Sequence, residues 1–176
     1  MGHFAVSAIG RDRPGIVAAI ADGLLEVDGN VEGSRMTNLG GHFAVMLLVS
    51  TPAGRERAEV EAALAPARER LALEALTVSE IGAGPGTAAP DHVITVYGSD
   101  HPGIVRAISA GLAAADVNIT DLQTQMGGSV EEPICMMLLE VEVGEVDVEA
   151  LKAGLREIAA RAAVEIELRP LDAGTL

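Results

Sequence analysis

The chain has 176 residues, of which 49% are hydrophobic, 22% are charged and 2% are aromatic. This length accommodates one domain or two small ones, and the composition is too apolar for a disordered chain. With 12 basic and 26 acidic residues the net charge is −14, which argues against direct binding to nucleic acid or to an anionic membrane, because both require a basic surface.

The single cysteine, the N-terminal pattern and the length of the apolar runs together indicate the cellular compartment. The single cysteine, Cys135, lies in one of these runs and is expected to be a buried strand residue, and no intrachain disulfide can form. The N-terminus shows no signal-peptide pattern. The longest apolar run, residues 43–49, is far shorter than the ~20 residues of a membrane-spanning helix. We therefore expect a cytoplasmic protein that contacts no membrane.

Hydrophobic periodicity in the first half predicts six elements in the order strand, helix, strand, strand, helix, strand. The first helix is expected to begin at Pro14, because the first helical residue needs no N–H donor. The second helix is expected to be kinked or split at Pro66. The predicted elements are residues 3–9, 14–27, 30–39 and 42–50, a helix containing Val60, Leu64 and Leu71, and residues 73–81.

The second half repeats the first at an offset of 88 residues. Twelve residues recur at this offset: Gly10, Asp12, Pro14, Gly15, Ile16, Val17, Ala19, Ile20, Gly23, Leu24, Asp28 and Asn30. Further along, Met46-Leu47-Leu48 matches Met137-Leu138-Leu139 after a shift of three residues, which places an insertion near residues 129–133. The second set of predicted elements is strand 92–98, helix 102–115, strands 117–126 and 133–143, helix 147–162 and strand 164–169.

Each half therefore predicts a βαββαβ domain of the α+β class. Two helices cover one face of a four-stranded antiparallel sheet in this ferredoxin-like arrangement. We place domain 1 at residues 1–81, domain 2 at residues 92–170 and a C-terminal tail at residues 171–176. Residues 82–91 are rich in Gly and Pro and are interpreted as a linker. Because each domain has a modest core, we expect the chain to form a homodimer.

The sequence offers no catalytic constellation. The histidines at positions 3, 42, 92 and 101 lack metal-ligand spacing, and no nucleophile motif or phosphate-binding loop is present. The paired cysteines of copper carriers and the sheet aromatics of RNA-binding versions of this fold are also missing. The loop after the first strand carries arginines in the first half only, which argues against a phosphatase of this fold. We expect no enzyme activity, no metal and no cofactor.

A different set of residues recurs in both halves. After the first strand come Asp, one further residue, Pro-Gly and a helix, and an Asn opens the next strand 16 residues after the Pro. A helix N-terminus suits a carboxylate, Gly permits close approach, and Asp beside an Asn amide suits an ammonium group, so the set fits an amino acid. The candidate ligand-binding residues are Asp12, Gly15, Ile16 and Asn30 in the first half and Asp100, Gly103, Ile104 and Asn118 in the second.

The same residues have a purely structural interpretation. An Asp beside a helix N-terminus can cap the helix, which is worth ~0.5–2 kcal/mol. The Asn can simply shape the entry into the next strand. Spacing alone leaves both interpretations open.

The motif Asp-x-Pro-Gly-Ile-Val, followed by Asn-Val or Asn-Ile, resembles the ACT domain, a regulatory module that binds amino acids. The first half is similar in more detail to the glycine cleavage system transcriptional repressor family. The matching stretches are residues 8–17, Asn30-Val31-Glu32, Ser34-Arg35-Met36, Leu39-Gly40 and residues 45–48. The resemblance implies two tandem ACT domains without enzyme activity or a DNA-binding motif. It also implies a response to glycine through contact with a DNA-binding regulator.

Two departures from these families leave the identity of the amino acid open. The repressor family usually carries an acidic residue where Gly33 stands. Serine-sensing ACT domains carry a polar residue, typically His, where Gly10 and Gly98 stand.

The leading hypothesis is a non-enzymatic regulatory protein that binds a small, glycine-like amino acid and acts by protein–protein contact, repressing transcription of amino-acid metabolism genes. Two alternatives are a structural interaction module without a ligand and a regulatory ACT subunit that partners a metabolic enzyme. Residues 1–88 carry 7 basic and 11 acidic residues, a net charge of −4, whereas residues 89–176 carry 5 and 15, a net charge of −10. A basic partner would therefore meet the second half.

Overall fold

The computed structural model describes residues 1–82 and 89–171. The chain divides into two compact units, Met1–Pro85 (unit 1) and Gly86–Leu176 (unit 2). Most of the predicted linker and tail lies outside the described residues, namely residues 83–88 and 172–176.

Unit 1 has the predicted order of elements. They are β1 (Gly2–Arg11), α1 (Ile16–Leu25), β2 (Asn30–Leu39), β3 (His42–Thr51), α2 (Arg57–Leu71) and β4 (Ala75–Glu80). The four strands form one antiparallel sheet in the order β2-β3-β1-β4.

Unit 2 repeats this architecture. Its elements are β5 (His92–Ser99), α3 (Ile104–Ala114), β6 (Asn118–Gly128), β7 (Pro133–Glu142), α4 (Val148–Ala162) and β8 (Val164–Pro170). The second antiparallel sheet has the order β6-β7-β5-β8. The predicted α+β class with two tandem βαββαβ domains is confirmed.

Alternating burial on the central strands shows which face of each sheet carries the core. On β1, Phe4, Val6 and Ala8 are buried while the residues between them are more exposed. The buried side chains pack with those of α1 and α2, and unit 2 builds its own core in the same way. The opposite face of each sheet, which no helix of its unit covers, is called the open face below.

The first helix of each unit begins two residues later than predicted. Gly15 and Gly103 precede the helices, and α1 and α3 start at Ile16 and Ile104. Both glycines have positive φ angles, 93° and 104°, which L side chains rarely adopt. Pro14 therefore lies in the turn before the helix rather than at its first position.

Helix α2 is continuous through Pro66, so the predicted split does not occur. Proline removes the hydrogen bond to the carbonyl group four residues earlier, which is that of Ala62. Both residues are exposed, so water can hydrogen-bond to the freed carbonyl group. On the other side of the helix, the fully buried Val60 and Leu64 hold it against the sheet.

The offset between the equivalent strands β3 and β7 is larger than the sequence repeat indicated. Ser7 pairs with Met46, whereas its equivalent Thr95 pairs with Leu138, so the offset there is 92 residues, four more than 88. The inferred match of Met46 with Met137 was wrong, because Met46 is 55% exposed and Met137 is 3% exposed. A shift of one residue moves every side chain of a strand to the other face.

Two smaller predictions concern apolar segments. Cys135 is buried in unit 2, as predicted, and this burial raises the pKa of its thiol. None of the helices in residues 1–82 and 89–171 has the length and apolar character that crossing a membrane requires.

Candidate functional site

The turn between the first strand and the first helix has the same backbone form in both units. Gly15 (φ 93°, ψ 0°) and Gly103 (φ 104°, ψ −8°) lead into the helices as left-handed residues. Among the described residues no side chain caps either helix, so Asp12 and Asp100 are not N-caps. The leading backbone N–H groups lack a side-chain acceptor, and together with the helix dipole they suit a carboxylate.

The first helical residues, Ile16 and Ile104, anchor these turns. Each residue is 2% exposed and belongs to the core of its unit. The side chains of these two predicted site residues therefore belong to the core and are not available to a ligand. A Cβ atom added to Gly15 or Gly103 would meet nothing within 4 Å, so the space in front of each turn is open.

The β2–β3 hairpin holds Asp12. Its backbone N–H donates to the carbonyl oxygen of Gly41 at 3.1 Å. Its carboxylate oxygen Oδ2 accepts a hydrogen bond from Nδ2 of Asn38 at 2.6 Å. The carboxylate is thus oriented but already engaged. Asn38 was not predicted as a site residue, because its contact joins residues 26 positions apart that only the strand register brings together.

Asp100 occupies the equivalent turn without such a partner. Its backbone N–H donates to the carbonyl oxygen of Pro133 at 2.9 Å. The residue equivalent to Asn38 is Met126, which has no N–H donor in its side chain. Within the described part of the chain, no side chain donates a hydrogen bond to the Asp100 carboxylate, which leaves it available to a ligand.

Within one unit, the predicted site residues Asn30 and Asn118 lie far from Asp12 and Asp100. Asn30 pairs with Ser50, which pairs with His3 at the start of β1, whereas Asp12 follows the end of that strand. A strand of 10 residues spans roughly 30 Å at about 3.3 Å per residue. Asn118 likewise begins β6 at the end of its sheet remote from the Asp100 turn.

Asn118 lines a shallow cavity of about 420 Å³ in unit 2. Asp116, Glu142 and Glu145 line the same cavity. The combination of an amide with three acidic side chains favours a positively charged group over an anion.

His101 links the Asp100 turn to the C-terminal end of α4. Its Nε2 atom lies 2.7 Å from the carbonyl oxygen of Ala162, and its Nδ1 atom lies 3.2 Å from that of Pro102. The carbonyls of Ala162 and Pro102 raise the pKa of His101, because both accept hydrogen bonds from the protonated ring. This link was not predicted, since it joins residues 61 positions apart.

Known structures share this architecture. The crystal structure of an unknown protein from Galdieria sulphuraria matches with a TM-score of 0.80 and 27% identity, covering 97% of this chain and 99% of that chain. The crystal structure of a provisionally named glycine cleavage system transcriptional repressor matches with a TM-score of 0.75 and 17% identity, covering 97% of this chain and 98% of that chain. This second likeness concerns the fold alone. No curated protein matches the chain.

The amino-acid sequence assigns the family. The family model of the ACT domain matches residues 3–77 and again residues 91–169. The first match falls in unit 1 and the second in unit 2. ACT domains are regulatory modules that generally bind small amino acids, and they are not catalytic domains. The chain therefore belongs to the ACT domain family and contains two tandem ACT domains.

Proposed function

We propose that this protein is a non-enzymatic regulator that binds a small, glycine-like amino acid and acts by contact with another protein. The observation that carries the proposal is the turn geometry shared by both units. In each, a left-handed glycine leads into an uncapped helix, and an aspartate stands three residues before that glycine. The target of the contact is a DNA-binding regulator that controls genes of amino-acid metabolism, in line with the sequence resemblance.

An α-amino acid has the two charged groups that such a turn can hold. Its carboxylate accepts hydrogen bonds from the N–H groups at the start of α1 or α3. Its ammonium group donates to the carboxylate of Asp12 or Asp100. Asn30 and Asn118 can complete a site only from another ACT domain of an assembly, because within one unit they lie at the far end of the sheet.

The acidic surface supports a protein partner over direct operator binding. The net charge is −14, and the 89–176 half holds 15 of the 26 acidic residues. A surface of this sign repels nucleic acid but attracts the basic face of a DNA-binding regulator.

Calorimetric titration with glycine, serine, alanine and the other amino acids tests the sensing function directly. We expect saturable binding of a small amino acid, with Asp100→Ala weakening the unit 2 site and Asp12→Ala the unit 1 site by roughly tenfold to 100-fold each. Asp22→Ala, which removes an exposed carboxylate from α1, is the matched control. Absence of binding by every amino acid at millimolar concentration contradicts the proposal, as does unchanged binding in both turn variants.

The two sites are expected to differ in affinity because only one aspartate is engaged. A ligand must displace the Asn38 amide from Asp12, whereas Asp100 has no such competitor among the described residues. Exchanging the two equivalent residues isolates this effect. Asn38→Met is expected to tighten the unit 1 site about tenfold, and Met126→Asn to weaken the unit 2 site by a similar factor.

Calorimetry of the two exchange variants measures both changes in the intact chain. Circular dichroism spectra serve as the control, because both positions are exposed and the substitutions leave the sheet intact. Shifts of the same sign in both variants contradict competition by the Asn38 amide.

A further inference from the structure

The open face of unit 1 has an uncharged centre. Six outward residues of its two central strands are uncharged: Ala5, Ser7 and Ile9 on β1, and Ala44, Met46 and Leu48 on β3. Charged residues lie around this centre, since Arg11 ends β1 and Arg35 of the edge strand β2 is paired opposite Met46. Ile9, Met46 and Leu48 are exposed. When one face of an antiparallel sheet is exposed to solvent, the residues that point towards solvent are normally polar. The chain as a whole is 22% charged. This face is therefore built to be covered.

The open face of unit 2 has the same apolar centre with larger side chains and an acidic edge. Tyr97, Met136 and Leu138 point outward from β5 and β7 and are exposed. On the edge strand β8, Glu165 pairs opposite Tyr97 and Glu167 opposite the neighbouring outward residue of β5. Both carboxylates thus flank the apolar centre.

The combined area of the two open faces of one chain matches the area that each partner buries in a stable dimer. Four strands about 4.8 Å apart and about six residues long present roughly 400 Å² per face. Two faces per chain then give roughly 800 Å² per partner, which is the usual size of a specific interface. A patch of this size on a monomer marks an interaction site.

We propose that the chain forms a homodimer in which the open face of unit 1 packs on the open face of unit 2 of a second copy. Side-chain size favours this pairing, because unit 1 has Ala44 where unit 2 has Met136. Charge favours it too. Unit 2 against unit 2 would bring Glu165 and Glu167 of both copies together. In unit 1 the outward residues of β1, β3 and β4 include no acid, and Glu32 of β2 lies 3.7 Å from Nδ1 of His3 at the start of β1.

Two equivalent central residues provide the test. Met46 and Leu138 occupy the same position in the two sheets, and both side chains point outward. Light scattering after size-exclusion chromatography of the wild-type chain is expected to give the mass of a dimer. Met46→Lys alone and Leu138→Glu alone are each expected to raise the dimer dissociation constant on the order of 100-fold, because each leaves an unpaired charge in an apolar contact.

The double variant decides which faces meet. If unit 1 packs on unit 2, Met46→Lys combined with Leu138→Glu places opposite charges together and restores most of the dimer. Like-with-like pairing would instead bring Lys against Lys and Glu against Glu, so a double variant that stays monomeric overturns the proposed pairing. A monomeric wild type, or single variants that stay dimeric, overturns the interface itself. Val130→Glu, in the exposed β6–β7 loop, is the control that must leave the dimer intact.

Discussion

Gly23→Ala is expected to lower the free energy of unfolding of unit 1 by about 2–3 kcal/mol. Gly23 lies on the buried side of α1 where this helix packs on α2. A Cβ atom there would stand 2.7 Å from the carbonyl oxygen of Ala63 and 3.3 Å from its carbonyl carbon. Backbone atoms cannot rotate away, so the two helices must separate and the packing around Leu24 loosens. The helix propensity gained, about 1 kcal/mol, offsets only part of this cost.

The repeat supplies a matched control at Gly111. A Cβ atom there meets Cδ1 of Ile158, the mobile end of a side chain that can change rotamer. Gly111→Ala is therefore expected to stay within about 1 kcal/mol of the wild type. Denaturant unfolding gives both changes, and hydrogen exchange assigns each loss to its unit. Equal losses in the two variants would contradict the distinction between backbone and side-chain contacts.

Local signals in the sequence were sufficient for the order of the elements but not for the strand register. Helix and strand periodicity, the glycine turns and the repeat at 88 residues identify twelve elements correctly. The match of Met46 to Met137 failed because both copies contain the same three-letter run, one residue out of phase with the pairing. Identical residues in two aligned segments do not show which face of the sheet each side chain occupies, whereas the hydrogen-bonded strand register determines it.

In the candidate site, too, local features could be predicted from the sequence and long-range contacts could not. The turn and the helix start are local, so the repeated motif located Asp12 and Asp100 on equivalent turns. Contacts across the sheet are not local. The sequence could not reveal that Asn38 reaches Asp12, or that Asn30 lies at the other end of β1. The difference between the two units arises from these long-range contacts rather than from the motif they share.

Asp91→Ala is expected to destabilise unit 2 by roughly 2–4 kcal/mol, because one carboxylate accepts three hydrogen bonds. The donors are the backbone N–H groups of Val143 and Gly144 and Nδ1 of His92, each at 2.8 Å. These contacts tie the segment before α4 to the start of β5. Val143 is buried, so removal of its acceptor leaves a backbone N–H group without a partner.

The pH dependence of this effect follows from the titration of the same carboxylate. Desolvation raises the pKa of Asp91, but the hydrogen bonds from Val143, His92 and Gly144 outweigh it and lower the pKa from 3.8 to about 2. A folded-state pKa below the unfolded value contributes stability above pH 3.8, and this contribution is lost as the pH falls towards 2. The difference in unfolding free energy between the wild type and Asp91→Ala should therefore shrink over that range.

Asp91→Asn, which keeps an acceptor oxygen but does not titrate, is the control. Its unfolding free energy at neutral pH is expected to lie between those of the wild type and Asp91→Ala. A difference that is unchanged between pH 5 and pH 2 would show that packing, rather than the ionised carboxylate, stabilises this end of unit 2.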